Sequence, residues 1–332
     1  MSGVYRIYGA ELSPYSVKVR SYFRYKQIPH RWIVRGLAQQ EEFSKYAKLP
    51  LIPLVVTPDD EGMQDSTPII ERLEAAQPAP PIHPSDPVAA FVSALIEELG
   101  DEWGNKWMFH CRWAREVDQV SAASRIACTM MPAASEKDVA ELSAQIRTRM
   151  AGRVWFVGSS AQTGPLIEAS LHEALAQLES HLADRPYLFG GRPTFGDFGL
   201  WGKIYNAWTD PTVGAAIEGR HPNVLAWVHR MTWPRNEGEL EPWQALEATL
   251  LPFIERQAGR RFLPWSVANA RAIEEGAEDF TVEVDGQAWT QKPQKYHARS
   301  LRALKDRYAA VADKTALDAV LENAGCLGAL AG

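Results

Sequence analysis

The chain has 332 residues, 46% of them hydrophobic and 23% charged, which is ordinary for a globular protein with room for two domains. A net charge of −6 without a basic block disfavours a nucleic-acid partner, and no apolar run is long enough to span a membrane. Three cysteines without CxxC spacing (Cys111, Cys128 and Cys326) argue against a disulfide framework or a zinc site and favour a reducing cytoplasm.

Residues 1–77 are predicted to form a small mixed sheet covered by helices. Alternating and helical patterns follow in the order strand, helix, strand, helix, strand, strand, helix. The segments are Val4–Tyr8, Pro14–Gln27, Arg31–Val34, Leu37–Ala47, Ile52–Thr57, Met63–Gln64 and Ser66–Ala76. The turn-rich sequence between the last two strands predicts an antiparallel hairpin.

The rest of the chain divides into three parts by composition. Five prolines crowd residues 77–87, so we place an interdomain linker at residues 78–86. Residues 87–260 follow helical periodicity and are predicted to form an all-α bundle. Residues 261–332 form an extension in which a hairpin is predicted around Asp285–Gly286, followed by a basic helix over Gln294–Val311. Because an isolated hairpin is marginal in water, we expect this extension to pack on the helical domain.

Ser13 and Pro14 stand where the first strand gives way to the first helix. Serine at the N-cap and proline at the first helical position are favoured at any helix start, so capping alone explains both residues. The same geometry also suits chemistry. A helix N-terminus stabilises an anion such as a thiolate, and a hydroxyl there can donate a further hydrogen bond to sulfur.

Two later dipeptides bear on this choice. Pro53 opens a predicted strand, either as an edge device or as a cis proline that leaves the Ile52 backbone free to pair with an extended peptide ligand. Asp65 and Ser66 open the third helix, either as caps or as a carboxylate and a hydroxyl that receive an α-amino and an α-carboxylate group.

Four segments of the chain form a recognisable set: "YGAELSPYSVKVR", "IPLVV", "DSTPIIERLE" and, in the helical half, "GRPTFGDFGLWGKIY". Together they resemble a glutathione S-transferase, with Thr194 and Asp197 matching the family's buried capping box. They occur in the family's order across residues 4–257. The resemblance implies an α+β fold, with a thioredoxin-like βαβαββα domain at residues 1–77 followed by the all-α domain. It also implies glutathione as co-substrate, no metal, a small hydrophobic electrophile as second substrate, and a homodimer.

The resemblance assigns roles to five residues of the first domain. Ser13 matches the serine that hydrogen-bonds the glutathione sulfur in serine-type members. Ile52 and a cis Pro53 match the backbone clamp on the cysteinyl unit, and Asp65 with Ser66 match the γ-glutamyl site. Ser16 on the same helix and the strand tyrosines Tyr5 and Tyr8 are alternative hydroxyl donors, although core packing is the favoured interpretation for the tyrosines.

Two departures from the family pattern stand out. Thiol-transferring members have a cysteine where this chain has Ser13, which disfavours redox chemistry. A lysine that often reaches the glycine carboxylate in the family is replaced by Leu51. Lys48 or the Gln39–Gln40 pair, with Gln40 included in the predicted site, are therefore the candidates for holding that end of glutathione.

The second substrate is expected against the first long helix of the helical domain. Trp103, Trp107 and His110 share one face there. The favoured interpretation is an aromatic core stripe. The alternative is an aromatic pocket in which His110 acts as an acid or orients a leaving group. Cys111 and Cys128 are expected to be buried small hydrophobic side chains.

The leading functional hypothesis is a glutathione S-transferase that activates the thiolate for attack on a hydrophobic electrophile. Glutathione-dependent cleavage of an ether or a halide is a close variant. A non-catalytic binding protein of the same fold is the second class, favoured by Leu51 and by the long extension. Thiol–disulfide exchange would require Cys111 to supply the reactive sulfur.

Overall fold

The N-terminal part of the chain is a four-stranded mixed sheet with three helices. The computed structural model describes residues 3–332. The elements in chain order are β1 (Tyr5–Gly9), α1 (Pro14–Tyr25), β2 (His30–Val34), α2 (Gln40–Tyr46, after a 3₁₀ turn at Leu37–Gln39), β3 (Leu54–Val56), β4 (Gly62–Gln64) and α3 (Ser66–Ala76). The strand order is β2-β1-β3-β4, with β1 parallel to β2 and antiparallel to β3, and β3 antiparallel to β4. The predicted βαβαββα order and its hairpin are confirmed.

The remainder is mainly helical. Its elements are α4 (Pro87–Ala114), α5 (Glu116–Met130), α6 (Glu136–Ala151), α7 (Gly164–His181), α8 (Phe195–Trp208), α9 (Pro211–Arg220), α10 (Pro222–Arg230), α11 (Trp243–Ile254), α12 (Leu263–Glu274), β5 (Phe280–Val284), β6 (Gln287–Gln291), α13 (Ala298–Ala310), α14 (Thr315–Asn323) and α15 (Leu327–Ala331). A 3₁₀ turn spans Val154–Val157, and a π-helical stretch at Glu255–Phe262 joins α11 to α12.

Helices α4 and α8 form the centre of the helical part. They approach so closely that a Cβ on Gly100 would lie 2.7 Å from backbone atoms of Gly199 and Leu200. Only glycine permits that approach. The predicted capping box at the start of α8 is present: Asp197 accepts 2.9 Å hydrogen bonds from the Thr194 N–H and hydroxyl groups. Burial raises the pKa of Asp197 to about 6.

The C-terminal extension shares the core of the helical domain, as expected. Trp289 of β6 is fully buried, and its ring centroid lies 5.4 Å from that of Trp103 on α4. The β5–β6 turn at Asp285 and Gly286 has φ of 51° and 77°, the positive values of a two-residue hairpin turn. The hairpin is therefore confirmed and held by aromatic packing.

The helix predicted over Gln294–Val311 begins later than predicted, at Ala298. The first residues of the predicted helix are not helical, because the Asn269 side chain is hydrogen-bonded to the backbone of Gln294. The Gln294 N–H donates to the Asn269 amide oxygen at 2.7 Å, and the Asn269 amide nitrogen donates to the Gln294 C=O at 3.0 Å. The chain therefore runs over the surface as an irregular segment before α13 starts. This segment reaches the candidate site described below.

The proposed domain boundaries remain predictions. The linker docks on both neighbours, because Ile82 is buried, donates its N–H to Glu74 and accepts from the Phe195 N–H. Helical structure is continuous from Trp243 to Glu274 and runs through residue 260. No helix within residues 3–332 combines the length and the apolar character needed to cross a membrane.

Candidate functional site

A cleft of about 780 Å³ lies between the sheet domain, α4 and the C-terminal extension. Residues from all three parts of the molecule line it. They include Tyr15, Lys48, Ile52, Pro53, Asp65 and Ser66 from the first domain, Asn105 and Phe156 from the helical domain, and Gln294, Tyr296, His297 and Arg299 from the extension. Four of the residues predicted to bind glutathione by resemblance (Ile52, Pro53, Asp65 and Ser66) therefore share one cleft.

Ile52 presents an unused stretch of backbone to this cleft. The Ile52–Pro53 peptide bond is cis, as predicted. Within the part of the chain that the structure describes, neither the N–H nor the C=O of Ile52 has a hydrogen-bond partner. Gln64 holds the preceding loop in place: its amide accepts from the Lys48 and Leu49 N–H groups and donates to the Leu49 and Leu51 carbonyls. The edge at Ile52 is thus fixed and open to an extended ligand.

Asp65 and Ser66 lie at the N-terminus of α3. Asp65 has φ of 78°, a conformation that is strained for a residue with a side chain and that recurs at functional sites. The first N–H groups of α3 have no intrahelical acceptor, and they give this end of the helix a positive partial charge. A carboxylate ligand there would meet N–H donors and the Ser66 hydroxyl, while Asp65 offers the opposite charge to an ammonium group.

Ser13 caps α1 and keeps a free hydroxyl proton. Its Oγ accepts from the Ser16 N–H at 3.3 Å and from the Ser16 hydroxyl at 2.9 Å. No acceptor for the Ser13 proton is present among residues 3–332, so that proton is available to an external atom. Ser16 is fully buried, and its hydroxyl group donates its hydrogen bond to Ser13. Ser13 is half-buried and is not one of the residues that line the cleft, whereas Tyr15, two positions further along the chain, lines it.

The loop that carries Ser13 is fixed by the helical domain. Arg112 of α4 donates to the Leu12 carbonyl at 3.1 Å and, from its other nitrogens, to the Asp210 carboxylate at 2.7 Å and the Asn206 carbonyl at 2.8 Å. Glu11 accepts a 2.6 Å hydrogen bond from the Tyr205 hydroxyl. The position of Ser13 therefore depends on α4 and α8 as well as on α1.

The other aromatic hydroxyls of this region are differently placed. Tyr5 and Tyr8 are buried in the sheet domain and do not line the cleft, in keeping with the favoured core interpretation. Tyr15 does line it, although none of the sequence motifs indicated this. Its hydroxyl donates to the Asp101 carbonyl at 3.1 Å, and burial raises its pKa well above the ordinary value. Tyr15 is therefore not poised to ionise.

The polar and cationic side chains near the cleft differ in whether they line it and in whether they already have a partner. Lys48 lines it, whereas Gln40 does not: the Gln40 side chain bonds Arg35 and Ser44 on the exterior. Arg72 also lines the cleft but forms a two-pronged ion pair with Glu61, at 3.0 and 2.7 Å. Lys48 remains as the candidate for the glycine end, and Gln40 is displaced from the predicted site.

The predicted second-substrate pocket at Trp103, Trp107 and His110 is not formed by those residues. Trp103 and Trp107 are 0% and 1% exposed, and both indole N–H groups donate to Ser170. His110 is buried between Ser159 and Glu168. The core interpretation holds because this face of α4 packs inward. The residue of α4 that lines the cleft is Asn105, with Phe156 nearby, and helical periodicity alone does not indicate which face is covered.

The cysteines offer no reactive pair. Cys111 is buried, as predicted, and burial raises its pKa to about 12, which keeps the thiol protonated. The expectation for Cys128 was wrong: it is exposed, because it lies on the outer face of α5. In the described residues, no group of three or more histidine, cysteine, aspartate or glutamate side chains is placed to hold a metal ion.

A buried charge cluster fixes the two domains behind the cleft. Lys18 of α1 contacts Glu97 and lies 2.7 Å from Asp101, both on α4, and 3.0 Å from the Thr67 hydroxyl on α3. Burial by itself would lower the pKa of Lys18, but Asp101 and Glu97 raise it above the ordinary value. The charged lysine thus ties together the helices that carry Ser13, Ser66 and Asn105.

Comparison with known proteins agrees with this architecture. Residues 7–81 match the family model for the glutathione S-transferase N-terminal domain, and residues 133–230 match that for its C-terminal domain. No curated protein matches the chain at a significant level.

Among solved structures, the chain is similar to a glutathione S-transferase from Methylobacterium radiotolerans in complex with glutathione sulfonate (20% identity over 72% of this chain and 96% of that one, TM-score 0.39). It is also similar to the beta-etherase LigF from Sphingobium (18%, 68% and 94%, TM-score 0.47). A third is maleylacetoacetate isomerase from Anaeromyxobacter dehalogenans, with dicarboxyethyl glutathione and citrate in its active site (20%, 69% and 86%, TM-score 0.41).

The N-terminal and C-terminal domain models of one family thus match in order, on a fold with the expected sheet and the buried α8 capping box. The chain belongs to the glutathione S-transferase superfamily.

Proposed function

We propose that this chain is a glutathione-dependent transferase that activates the thiol of glutathione for attack on a hydrophobic electrophile. The observation that carries the proposal is the open Ile52 backbone in one cleft with Asp65 and Ser66. In this placement the cysteinyl unit pairs with Ile52 as an added strand, and the γ-glutamyl group meets the α3 N-terminus. Lys48 serves the glycine carboxylate.

The chemistry requires the sulfur as thiolate. The α1 N-terminus and the free Ser13 proton stabilise the negative charge, so the thiol proton passes to solvent at a lower pH than in free glutathione. With an activated aryl chloride, the sulfur lone pair forms the new S–C bond, the C–Cl bond breaks, and chloride leaves with the electron pair. Asn105 and Phe156 line the cleft from the helical domain, and they contact the electrophile in this proposal.

Calorimetric titration with glutathione tests the proposal. We expect the wild-type chain to bind, and Asp65→Asn to weaken binding about ten- to hundredfold, because it removes a charge-assisted contact to the ammonium group. Asp59→Asn is the matched control, since Asp59 is an exposed acid outside the cleft lining. Absence of binding at millimolar glutathione would contradict the proposal and favour a non-catalytic protein with another ligand.

The remaining expectations belong to this proposal as well. A homodimer and a cytoplasmic location follow from the family resemblance and the cysteine usage. Size-exclusion chromatography with light scattering tests the first of these.

A further inference from the structure

The C-terminal extension contributes a defined surface to the cleft. We call residues 292–299, which comprise the connection from β6 to α13 and the first two residues of α13, the strap. Four of its residues line the cleft: Gln294, Tyr296, His297 and Arg299. The strap lines the same cleft as Ile52, Asp65 and Ser66, and none of the sequence motifs pointed to it.

The strap is held at both ends. At its start, the Asn269 side chain bonds both backbone groups of Gln294, at 2.7 and 3.0 Å. At its end, the His297 ring contacts the Glu102 carboxylate, and the Ser300 hydroxyl donates to Glu98, one turn away on α4. These anchors fix the backbone on either side of Tyr296, so the strap is a built wall of the cleft.

Its contacts place the strap at the Asp65 end of the cleft. Burial and the Asp65 carboxylate raise the pKa of Tyr296 above its ordinary value, and the Arg299 guanidinium carbon lies 5.8 Å from the centroid of the Tyr296 ring. Arg299 therefore sits near the α3 N-terminus, where the proposed function puts the γ-glutamyl group.

Few cations of the cleft are free to bind a ligand. Arg72 is committed to Glu61 through two hydrogen bonds. Lys48 and Arg299 have no ion-pair partner among residues 3–332, and Lys48 follows α2, on the loop that leads to Ile52. The arrangement thus provides one uncommitted cation on the Ile52 loop and another beside Asp65.

We propose that Arg299 of the strap binds the α-carboxylate of the γ-glutamyl residue, opposite the N–H groups of α3. This inference rests on the proposed function. A guanidinium suits the task because its fork of N–H donors matches a carboxylate. The extension then completes the substrate site, and a two-domain chain ending near residue 260 would lack this contact.

Calorimetry on full-length variants tests the proposal with three ligands. These are glutathione, γ-glutamylcysteine, which lacks glycine, and glutathione esterified at the glycine carboxylate. We expect Arg299→Ala to weaken all three about ten- to hundredfold, because each retains the γ-glutamyl carboxylate. Arg299→Lys should recover part of the loss as a point charge. Arg302→Ala, one turn along on the exposed side of α13, should bind like wild type.

The outcomes separate the two levels of inference. Wild-type binding with an unaffected Arg299→Ala variant overturns the role of Arg299 and leaves the proposed function standing. A loss confined to glutathione, absent for the ester and the dipeptide, assigns Arg299 to the glycine end and overturns its placement at the γ-glutamyl carboxylate. Failure of the wild type to bind any of the three ligands removes the proposed function, and the role of Arg299 with it.

Discussion

At the residue scale, capping and chemistry use different atoms of the same hydroxyl group. The Ser13 oxygen accepts from the Ser16 N–H and hydroxyl groups, which satisfies the end of α1. The Ser13 proton stays free for an external acceptor, such as the glutathione sulfur of the proposed function. Ser16 orients this proton without being able to replace it, because Ser16 is buried. We therefore propose Ser13, and not Ser16, as the donor.

Lys48 gives a prediction at the same scale. Lys48→Ala is expected to weaken glutathione binding about threefold to tenfold, the effect of an exposed charge contact. Binding of γ-glutamylcysteine, which has no glycine carboxylate, should be unchanged in calorimetric titrations. Lys45→Ala is the control, since Lys45 is an exposed lysine of α2 outside the cleft lining. An equal loss for both ligands would refute the assignment of Lys48 to the glycine end.

At the element scale, α4 and α8 determine where the site residues lie. Helix α4 spans 28 residues and supplies Arg112 to the Ser13 loop, Asp101 to Lys18, and Asn105 to the cleft. Helix α8 packs against it through the glycine contact, and its orientation is set by the Asp197 cap. A change at either helix is therefore expected to act on the site from a distance.

The α8 cap predicts a large loss of stability. Asp197→Ala removes the acceptor for the Thr194 groups and for the Leu188 N–H and Trp227 indole N–H, leaving buried donors unsatisfied. We expect the free energy of unfolding in urea to fall by about 3 kcal/mol. Ser135→Ala, at the exposed cap of α6, should cost only about 0.5–1 kcal/mol. Similar losses for both variants would show that the buried cap is no more important than an ordinary one.

His181 at the end of α7 predicts a pH dependence. The ring bonds the Thr249 hydroxyl and the Leu188 carbonyl, and burial lowers its pKa to about 4, below the ordinary 6.5 or so. The unfolded chain thus binds the proton more readily. The free energy of unfolding is unaffected above about pH 6.5 and falls as pH drops toward 4, by up to about 3 kcal/mol.

Urea unfolding at pH 7.5, 6 and 5 measures this effect. His181→Gln should flatten the decline between pH 6.5 and 5, whereas His229→Gln, at an exposed histidine, should leave it in place. An unchanged slope in His181→Gln would place the acid sensitivity elsewhere.

At the scale of the whole molecule, the extension shares one hydrophobic core with the helical domain, so we expect the two to unfold together. Trp289 of β6 packs with Trp103 of α4, and Lys106 lies 3.7 Å from the ring centroid of Trp265 while donating to Gln291 of the hairpin. Burial lowers the pKa of Lys106 well below its ordinary value. The Trp103–Trp289 and Lys106–Gln291 contacts each join residues more than 180 positions apart in the sequence.

Trp289→Ala tests this unity. We expect a loss of about 3–5 kcal/mol in the free energy of unfolding, because a fully buried indole leaves a large cavity. Circular dichroism and fluorescence should still report one coincident transition in urea. Trp233→Ala, at a tryptophan that is 60% exposed, should cost about 1 kcal/mol or less. A separate early transition in Trp289→Ala would instead identify the extension as an independent unit.

The local signals of this sequence predicted much of the fold. Three features could be predicted because each depends only on neighbouring residues: the Ser13–Pro14 cap, the start of α3 at Ser66 and the Asp285–Gly286 turn. The cis Pro53 and the Asp197 box were readable through family motifs. Which face of α4 lines the cleft could not be predicted, because periodicity gives the spacing of Trp103 and Trp107 but not what packs over them. The strap was not predicted either, because the contact with Asn269 that keeps Gln294 out of α13 joins residues that are not neighbours in the sequence.

The central claim, that the α1 N-terminus and Ser13 activate a glutathione thiol, is tested most directly by a pH titration of thiolate absorbance in the bound complex. A free thiol has a pKa of about 8.5, and we expect the pKa of the bound thiol to lie at least about one unit lower. In Ser13→Ala we expect it to rise again by about one unit, with glutathione affinity nearly unchanged. A bound thiol whose pKa is not lowered, or is the same in the Ser13→Ala variant, would contradict the account.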